Sequence, residues 1–249
     1  MEVPPILGSL MSEHPATDYF GVWQRYRKVI DANYMHHAEF SAHIEQVLRS
    51  RFASRPFSIL DLGCGDTAIL APMLANMEVR TYEGVDLSES ALALAEQNLK
   101  SLSCPVHLTH SDLLAALKQG HRRYDAIHTS CAVHHLSTDQ KGEFFALVAK
   151  RLEKDGFLML TDVTREDDES LPVHFQRYCD WLRRDWHGLS EDEKTAICDH
   201  LLNNDLPETR SVLESQARAA GLNDAVELAR FGWYRLFYFG FKQADLASS

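Results

Sequence analysis

Four short stretches combine residue types that bind ligands or move protons. The first is Ile59-Leu60-Asp61-Leu62-Gly63-Cys64-Gly65-Asp66-Thr67, an apolar run entering a glycine turn. Gly63 and Gly65 let the backbone approach a ligand closely at the carboxyl end of a strand. With Ala68 the spacing reads G-x-G-x-x-A, which a dinucleotide site also accepts. Asp61 is awkward beside a pyrophosphate and suits a cationic ligand bearing an ammonium or sulfonium. No G-K-[ST] follows, which excludes a loop cradling a triphosphate. The second stretch is Glu83–Ser88, whose Asp86 stands about 20 residues beyond the glycines and can accept both hydroxyls of a ribose. The third is Ser111-Asp112-Leu113: the acid can accept an adenine amine while Leu113 packs on the ring, or it is simply a helix cap. The fourth runs from Tyr124 to Leu136 and carries Ser130, His134 and His135. Its histidine pair invites a general-base or metal reading. Adjacent histidines on an extended loop point apart and a third ligand is not evident, so no metal site is expected.

These residues need a scaffold, and the hydrophobic pattern supplies one. Strands are predicted over Phe57–Leu62, Val79–Val85, Val106–Thr109, Tyr124–Thr129 and Phe157–Val163. Helices alternate with them. One is capped by Asp66 or Thr67 and ends near Asn76, one is capped by Ser88, one is short over Leu113–Leu117, and one opens with the capping box Ser137/Gln140. Lys154-Asp155-Gly156 reads as a turn before the fifth strand. Such alternation implies an α/β fold with a parallel sheet covered on both faces. Residues 1–18 read as a loose tail, and 19–52 as two helices broken near Asn33. Residues 165–221 contain no strand-like run. Phe175, Tyr178, Cys179, Leu182 and Trp186 form a helical stripe there, Ser190 and Glu193 a second capping box, and Pro207 and Gly221 can bracket a third helix. Two strand-like stretches, Ala225–Phe231 and Tyr234–Phe241, close the chain as an antiparallel hairpin at one edge of the sheet.

Composition narrows the function classes. The 249 residues hold 36 acids against 25 bases, a formal net charge of −11. That balance disfavours nucleic acid and anionic membranes, which need clustered Lys and Arg. Twelve acids against four bases lie between Glu166 and Glu208, so most of the excess sits in the helical insertion. No apolar run is long enough to cross a bilayer. The start, Met1-Glu2-Val3-Pro4-Pro5, lacks a basic region followed by an apolar one, so no secretory signal is expected. The five cysteines are widely spaced with no C-x-x-C, which fits a reducing, cytoplasmic setting.

The four stretches, in this order, resemble the class I S-adenosylmethionine-dependent methyltransferases, in their small-molecule branch. The likeness covers about residues 57–164 plus the terminal hairpin and includes the A-x-H-H-L run at Ala132–Leu136. It implies a Rossmann-like, seven-stranded, mostly parallel sheet with an antiparallel last strand. It divides the chain into a helical N-terminal cap (19–52), a cofactor-binding core (57–164), a helical lid (165–221) and a C-terminal hairpin (222–249). It also implies S-adenosylmethionine as cofactor, leaving as S-adenosylhomocysteine. Asp61, Gly63, Cys64 and Gly65 would meet its methionine part, with Ser130 near the carboxylate. Asp86 would take the ribose, and Leu87, Ser111, Asp112 and Leu113 the adenine side. The expected reaction is in-line methyl transfer to O or N of a small molecule, by a monomer or homodimer. His134, His135 and His36 are the candidate bases, with His37 also in position. Tyr26, Tyr34, His37, Tyr178 and Trp181 are the candidate acceptor contacts, beneath a cap made by the N-terminal helices and the insertion. The place after the fourth strand reads Thr129-Ser130-Cys131-Ala132 instead of [DN]-P-P-[YF], so nucleobase amines lose support. A nicotinamide-dependent oxidoreductase would use the same glycines and Asp86 but leaves Asp61, Asp112 and the hairpin unexplained. A non-catalytic adenosyl-nucleoside-binding module is the third reading.

Overall fold

The computed structural model describes residues 27–241. The tail expected over residues 1–18, and Tyr19 and Tyr26, lie outside them. The chain divides into two compact units: a sheet unit formed by Ala38–Glu169 and the chain from Leu206 onward, and a helical unit formed by Ser170–Asp205 with the stretch ending at His37.

The sheet unit has seven strands: β1 (Phe57–Leu62), β2 (Val79–Asp86), β3 (Val106–His110), β4 (Tyr124–Ser130), β5 (Leu152–Val163), β6 (Asp224–Phe231) and β7 (Tyr234–Gly240). Their order is β3-β2-β1-β4-β5-β7-β6. The first five are parallel, and β7 enters antiparallel between β5 and β6. Every residue of β1 is buried, as a central parallel strand covered on both faces requires. One apolar layer joins Leu60, Leu62, Ile127, Leu158, Leu160, Phe237 and Phe239 of the sheet to the surrounding helices. Those helices are α4 (Leu113–Gln119), α5 (Thr138–Arg151) and α8 (Arg210–Ala219). Helix α1 (His37–Phe52) buries Phe40, Ile44, Leu48 and Phe52, and Phe52 stacks on Phe57 at 4.1 Å. The remaining helices of this unit are α2 (Leu70–Leu74) and α3 (Glu89–Asn98).

Ser88 caps α3 through the Ala91 N–H, and the Ser137/Gln140 box caps α5, as the sequence spacing predicts. The helix after the glycine turn differs from expectation. It is a single turn starting at Leu70, because Thr67 lies in the left-handed region (φ 58°) and Asp66 turns back to the Ala68 N–H. The predicted turn at Lys154-Asp155-Gly156 is absorbed into β5 as an irregularity of register against β4.

In the helical unit, residues 27–31 are helical and are followed by a break with Asn33 and His36 at φ 53° and 57°. Helix α6 (Leu171–Asp185) buries Phe175, Tyr178, Cys179 and Leu182, the stripe read from the sequence. Helix α7 (Glu191–Asn204) opens with the Ser190/Glu193 capping box. Among the described residues no helix is long and apolar enough to cross a membrane.

The expected lid boundary at 221 moves. The helical unit ends at Asp205, and α8 belongs to the sheet unit because Leu213 and Ala217 bury their side chains beside Phe144, Phe145 and Val148. Thr209, rather than Pro207, starts that helix, accepting the Val212 N–H. Residues 206–209 form an extended arm. Arg165 and Thr209 pair as an isolated parallel bridge, and the Arg165 guanidinium reaches the carbonyls of Pro207 and Glu169.

The turn after β1 is a close approach within the sheet unit. Gly63 has φ +66°, and a Cβ there would stand 2.6 Å from the Ala132 side chain. A Gly63→Ala variant is expected to lose about 1–2 kcal/mol to the left-handed backbone and about 1–3 kcal/mol to overpacking. Urea denaturation should show the loss as a lower midpoint at unchanged slope.

Candidate active site

The carboxyl ends of β1, β2 and β3 converge on two residues. The N–H groups of Gly63 and Cys64 both donate to the Val85 carbonyl, at 2.8 and 3.0 Å. The Gly65 N–H donates to Asp86 Oδ2 and the Ser88 N–H to Asp86 Oδ1, each at 2.8 Å. The Ser111 N–H donates to the Asp86 carbonyl at 3.0 Å. Asp86 thus pins the glycine turn to the loop before α3. Burial raises its pKa, against the lowering by the Ser88 and Gly65 N–H groups, and the Asp61 charge adds to the rise. Each carboxylate oxygen keeps a second lone pair for a hydroxyl donor. Gly65 has φ +55°, and a Cβ built on it would point into open space. Next to Asp86, Leu87 is 46 % exposed, a large apolar side chain left for a flat partner. His110 contacts the Leu87 carbonyl at 2.9 Å. Asp112 caps α4 through the Ala115 N–H, Ser111 donates to the Asp112 carbonyl, and Leu113 opens the helix. The capping role foreseen for Asp112 is therefore present.

Asp61 does not stand open in the crevice. It is only 2 % exposed, and both its oxygens are engaged within the sheet. The Tyr82 hydroxyl donates to Oδ2 at 2.8 Å, and His128 Nδ1 lies 2.7 Å from Oδ1. Pairing of this kind is what keeps a carboxylate tolerable inside a sheet. Burial, followed by the Asp61 charge, raises the Tyr82 pKa. Burial and the charges of Asp61 and Asp86 push the Cys64 thiol up as well, so it stays protonated and is no nucleophile. Sequence reasoning missed Tyr82 and His128. The available signal was register: His128 pairs with Asp61 across β1 and β4, and equal alternation turns both to one face.

Beyond β4 the chain turns sharply. Cys131 has φ 52°, its N–H donates to the Thr161 carbonyl, and the Ser130 hydroxyl points to its sulfur at 3.9 Å. A short 3-10 turn over Val133–His135 follows. It places His134 Nδ1 2.5 Å from Asp162 Oδ1, at the end of β5, with both residues buried. Asp162 Oδ1 also accepts the Val163 N–H at 2.9 Å. The His135 ring lies 4.1 Å from that of His134. Asp162, at the end of β5, is the partner that orients His134.

The remaining candidates fall in the helical unit. Tyr34 stacks on Trp186 at 4.8 Å and accepts the Gly188 N–H at 2.6 Å. Trp181 packs edge-on against both Tyr178 and Trp186. His36 lies in the left-handed break, and burial, followed by the charge of His36, lowers the pKa of its neighbour His37. Tyr26 lies outside the described residues.

Comparison with known proteins bears on the same stretch. Residues 59–156 match the family model described as a methyltransferase domain. Over 132 residues the chain is 30% identical to cyclopropane mycolic acid synthase MmaA2 of Mycobacterium tuberculosis, covering 51% of this chain and 43% of that protein. The match thus spans less than half the length of that relative. Magnesium protoporphyrin IX methyltransferase from Synechocystis PCC 6803, solved with bound SAH, aligns with a TM-score of 0.62 at 14% identity, over 90% of this chain and 97% of that one. An S-adenosylmethionine-dependent methyltransferase from Clostridium acetobutylicum aligns at 0.61 and 16% identity, over 90% and 98%. The structural likeness carries the fold, and the family match falls on the segment that builds the glycine turn, Asp86 and the His134 turn. Residues 59–156 therefore carry a methyltransferase domain, on the fold that these S-adenosylmethionine-dependent methyltransferases share.

Proposed function

We propose that this chain transfers a methyl group from S-adenosylmethionine to an oxygen or nitrogen of a small molecule, with His134 as general base. The observation that supports an O–H or N–H acceptor is the buried His134–Asp162 pair beyond the end of β4. A base is useful only when the acceptor arrives protonated.

The residues present fit the cofactor. The open side of Gly65 and the remaining lone pairs of Asp86 suit an adenosyl group, and exposed Leu87 suits a flat base. When bound, S-adenosylmethionine supplies an electrophilic methyl on a sulfonium and leaves as a neutral thioether. Asp86 would accept the ribose hydroxyls, and Leu87, Leu113 and the Ser111–Asp112 edge would take the adenine. Gly63, Cys64, Gly65 and Ser130 would meet the methionine part. Asp61 supports that turn from within the sheet. Asp162 holds the His134 ring at Nδ1, an arrangement that would favour the tautomer with Nε2 as proton acceptor. Alignment of the acceptor at near-attack distance supplies much of the remaining rate.

The helical unit includes Ser170–Asp205, inserted in the chain between Glu169 and Leu206. Tyr34, His37, Tyr178 and Trp181 are proposed as the acceptor contacts. The chain's acidity argues against nucleic acid as the acceptor, and the cysteine pattern supports a cytoplasmic setting. A second reading, transfer to a lipid carbon, rests on the partial match to the cyclopropane mycolic acid synthase.

Two results test the proposal. Because burial raises the Asp86 pKa, its carboxylate protonates above the usual range as pH falls, and a protonated carboxyl no longer accepts both hydroxyls. Calorimetric affinity for S-adenosylhomocysteine should accordingly be level near neutrality and drop on acidification, beginning above the ordinary carboxylate range. Asp86→Ala should bind more weakly by roughly 2–4 kcal/mol and lose that acid limb. In a screen with radiolabelled methyl donor, hydroxyl and amine acceptors should be labelled and an unsaturated phospholipid should not. With the acceptor found, His134→Gln and Asp162→Asn should each lower turnover by about 10²–10⁴-fold while S-adenosylhomocysteine still binds. Labelling of the lipid alone, or wild-type turnover in His134→Gln, would overturn the base assignment.

A further inference from the structure

We propose that Lys141 is a positioning residue: it clamps the turn carrying His134 to the extended arm that begins at Leu206. The inference rests on the reading of His134 as the base.

Lys141, in the first turn of α5, is 1 % exposed, an unusual place for an ammonium group. Its Nζ donates to the Leu136 carbonyl at 2.5 Å and to the Leu206 carbonyl at 2.6 Å. The Leu206 N–H in turn donates to the His134 carbonyl at 2.7 Å. The arm therefore holds the His134 turn at two carbonyls, one directly and one through the lysine. Neighbouring bonds brace the same junction. The Thr138 hydroxyl meets Glu208, Gln216 Nε2 donates to the Thr138 carbonyl at 2.8 Å, and Arg165 reaches the Pro207 carbonyl at 3.1 Å.

The chemistry explains why a lysine stands here. Two carbonyls facing one point from different segments need a compact group with several donors, and an ammonium has three. Withdrawing it from water carries a substantial penalty, tolerable only where those donors are used. Asp162 fixes the His134 ring from one side. The arm fixes the backbone from the other, and Lys141 joins arm to turn. Orientation of the base thus depends on a residue that touches neither acceptor nor cofactor. Any displacement of the arm, through which the chain returns from Asp205, would be passed to the ring.

The test uses the full chain labelled with nitrogen-15, as wild type, Lys141→Met, Lys141→Arg and Leu206→Pro. The last removes the N–H to the His134 carbonyl and leaves the lysine in place. Lys141→Met should raise amide exchange at Leu206 at least tenfold and shift the His134 ring-nitrogen signals away from the pattern set by Asp162. Leu206→Pro should produce the same ring shift, and Lys141→Arg should restore most of the wild-type pattern. S-adenosylhomocysteine affinity should stay within twofold in all three, which also shows that each is folded. Unchanged His134 signals in folded Lys141→Met or Leu206→Pro would overturn the proposal, and so would a loss of S-adenosylhomocysteine binding parallel to the ring shift. Wild-type turnover in His134→Gln alongside the expected ring shifts would refute the base assignment while leaving the clamp standing.

Discussion

A half-buried carboxylate at the end of β2 holds the binding edge of the sheet together. Asp86 accepts the N–H groups of Gly65 and Ser88, while its own carbonyl accepts that of Ser111. Backbone donors at the carboxyl ends of parallel strands have no further ladder to join, and leaving them buried and unpaired is costly. One side chain satisfies two of them and draws the β1 turn against the loop before α3. The Val85 carbonyl, accepting Gly63 and Cys64, completes the junction. The glycines can follow this path because both adopt positive φ, a conformation costly for residues with a Cβ.

Two carboxylate–histidine pairs occupy this region, and their positions separate their roles. Asp61 and His128 face each other from adjacent strands, with Tyr82 as a third member, beneath the glycine turn. That network supports the turn from inside the sheet. His134 and Asp162 meet beyond the last hydrogen-bonded residue of β4, where the chain has left the ladder. His134 stands on a turn outside the ladder, whereas His128 is held by the strand register. The same residue types therefore support structure in one place and the proposed proton transfer in the other.

The arm from Leu206 to Thr209 gives the second pair its setting. Arg165 ties the chain after β5 to the arm, and Lys141 and Leu206 join the arm to the His134 turn. A conformational signal can travel through contiguous hydrogen bonds of this sort when the element has two arrangements. The helical unit contributes an aromatic cluster of its own, in which Tyr34, Trp181 and Trp186 pack directly.

Local sequence determined the strand–helix alternation, the Ser88, Ser137 and Ser190 caps, the buried stripe of α6 and the glycine turn, because each depends on residues within a few positions of one another. The order of the strands was not legible in the local sequence, since β7 enters between β5 and β6 through a pairing with β5 far away in the chain. Tertiary structure alone decided which acids meet which partners. Asp61 read as a residue open to a cationic ligand, yet it is enclosed by Tyr82 and His128, which neighbour it only through strand register. Asp162 and His134 meet only because the end of β5 lies beside the turn after β4. Helix α8 read as part of a lid, and its small apolar stripe instead fills the core beside α5. Lys141 carried no signal in the sequence, because a lysine in an amphipathic helix is ordinarily solvated. Its burial follows only from the arm that covers it.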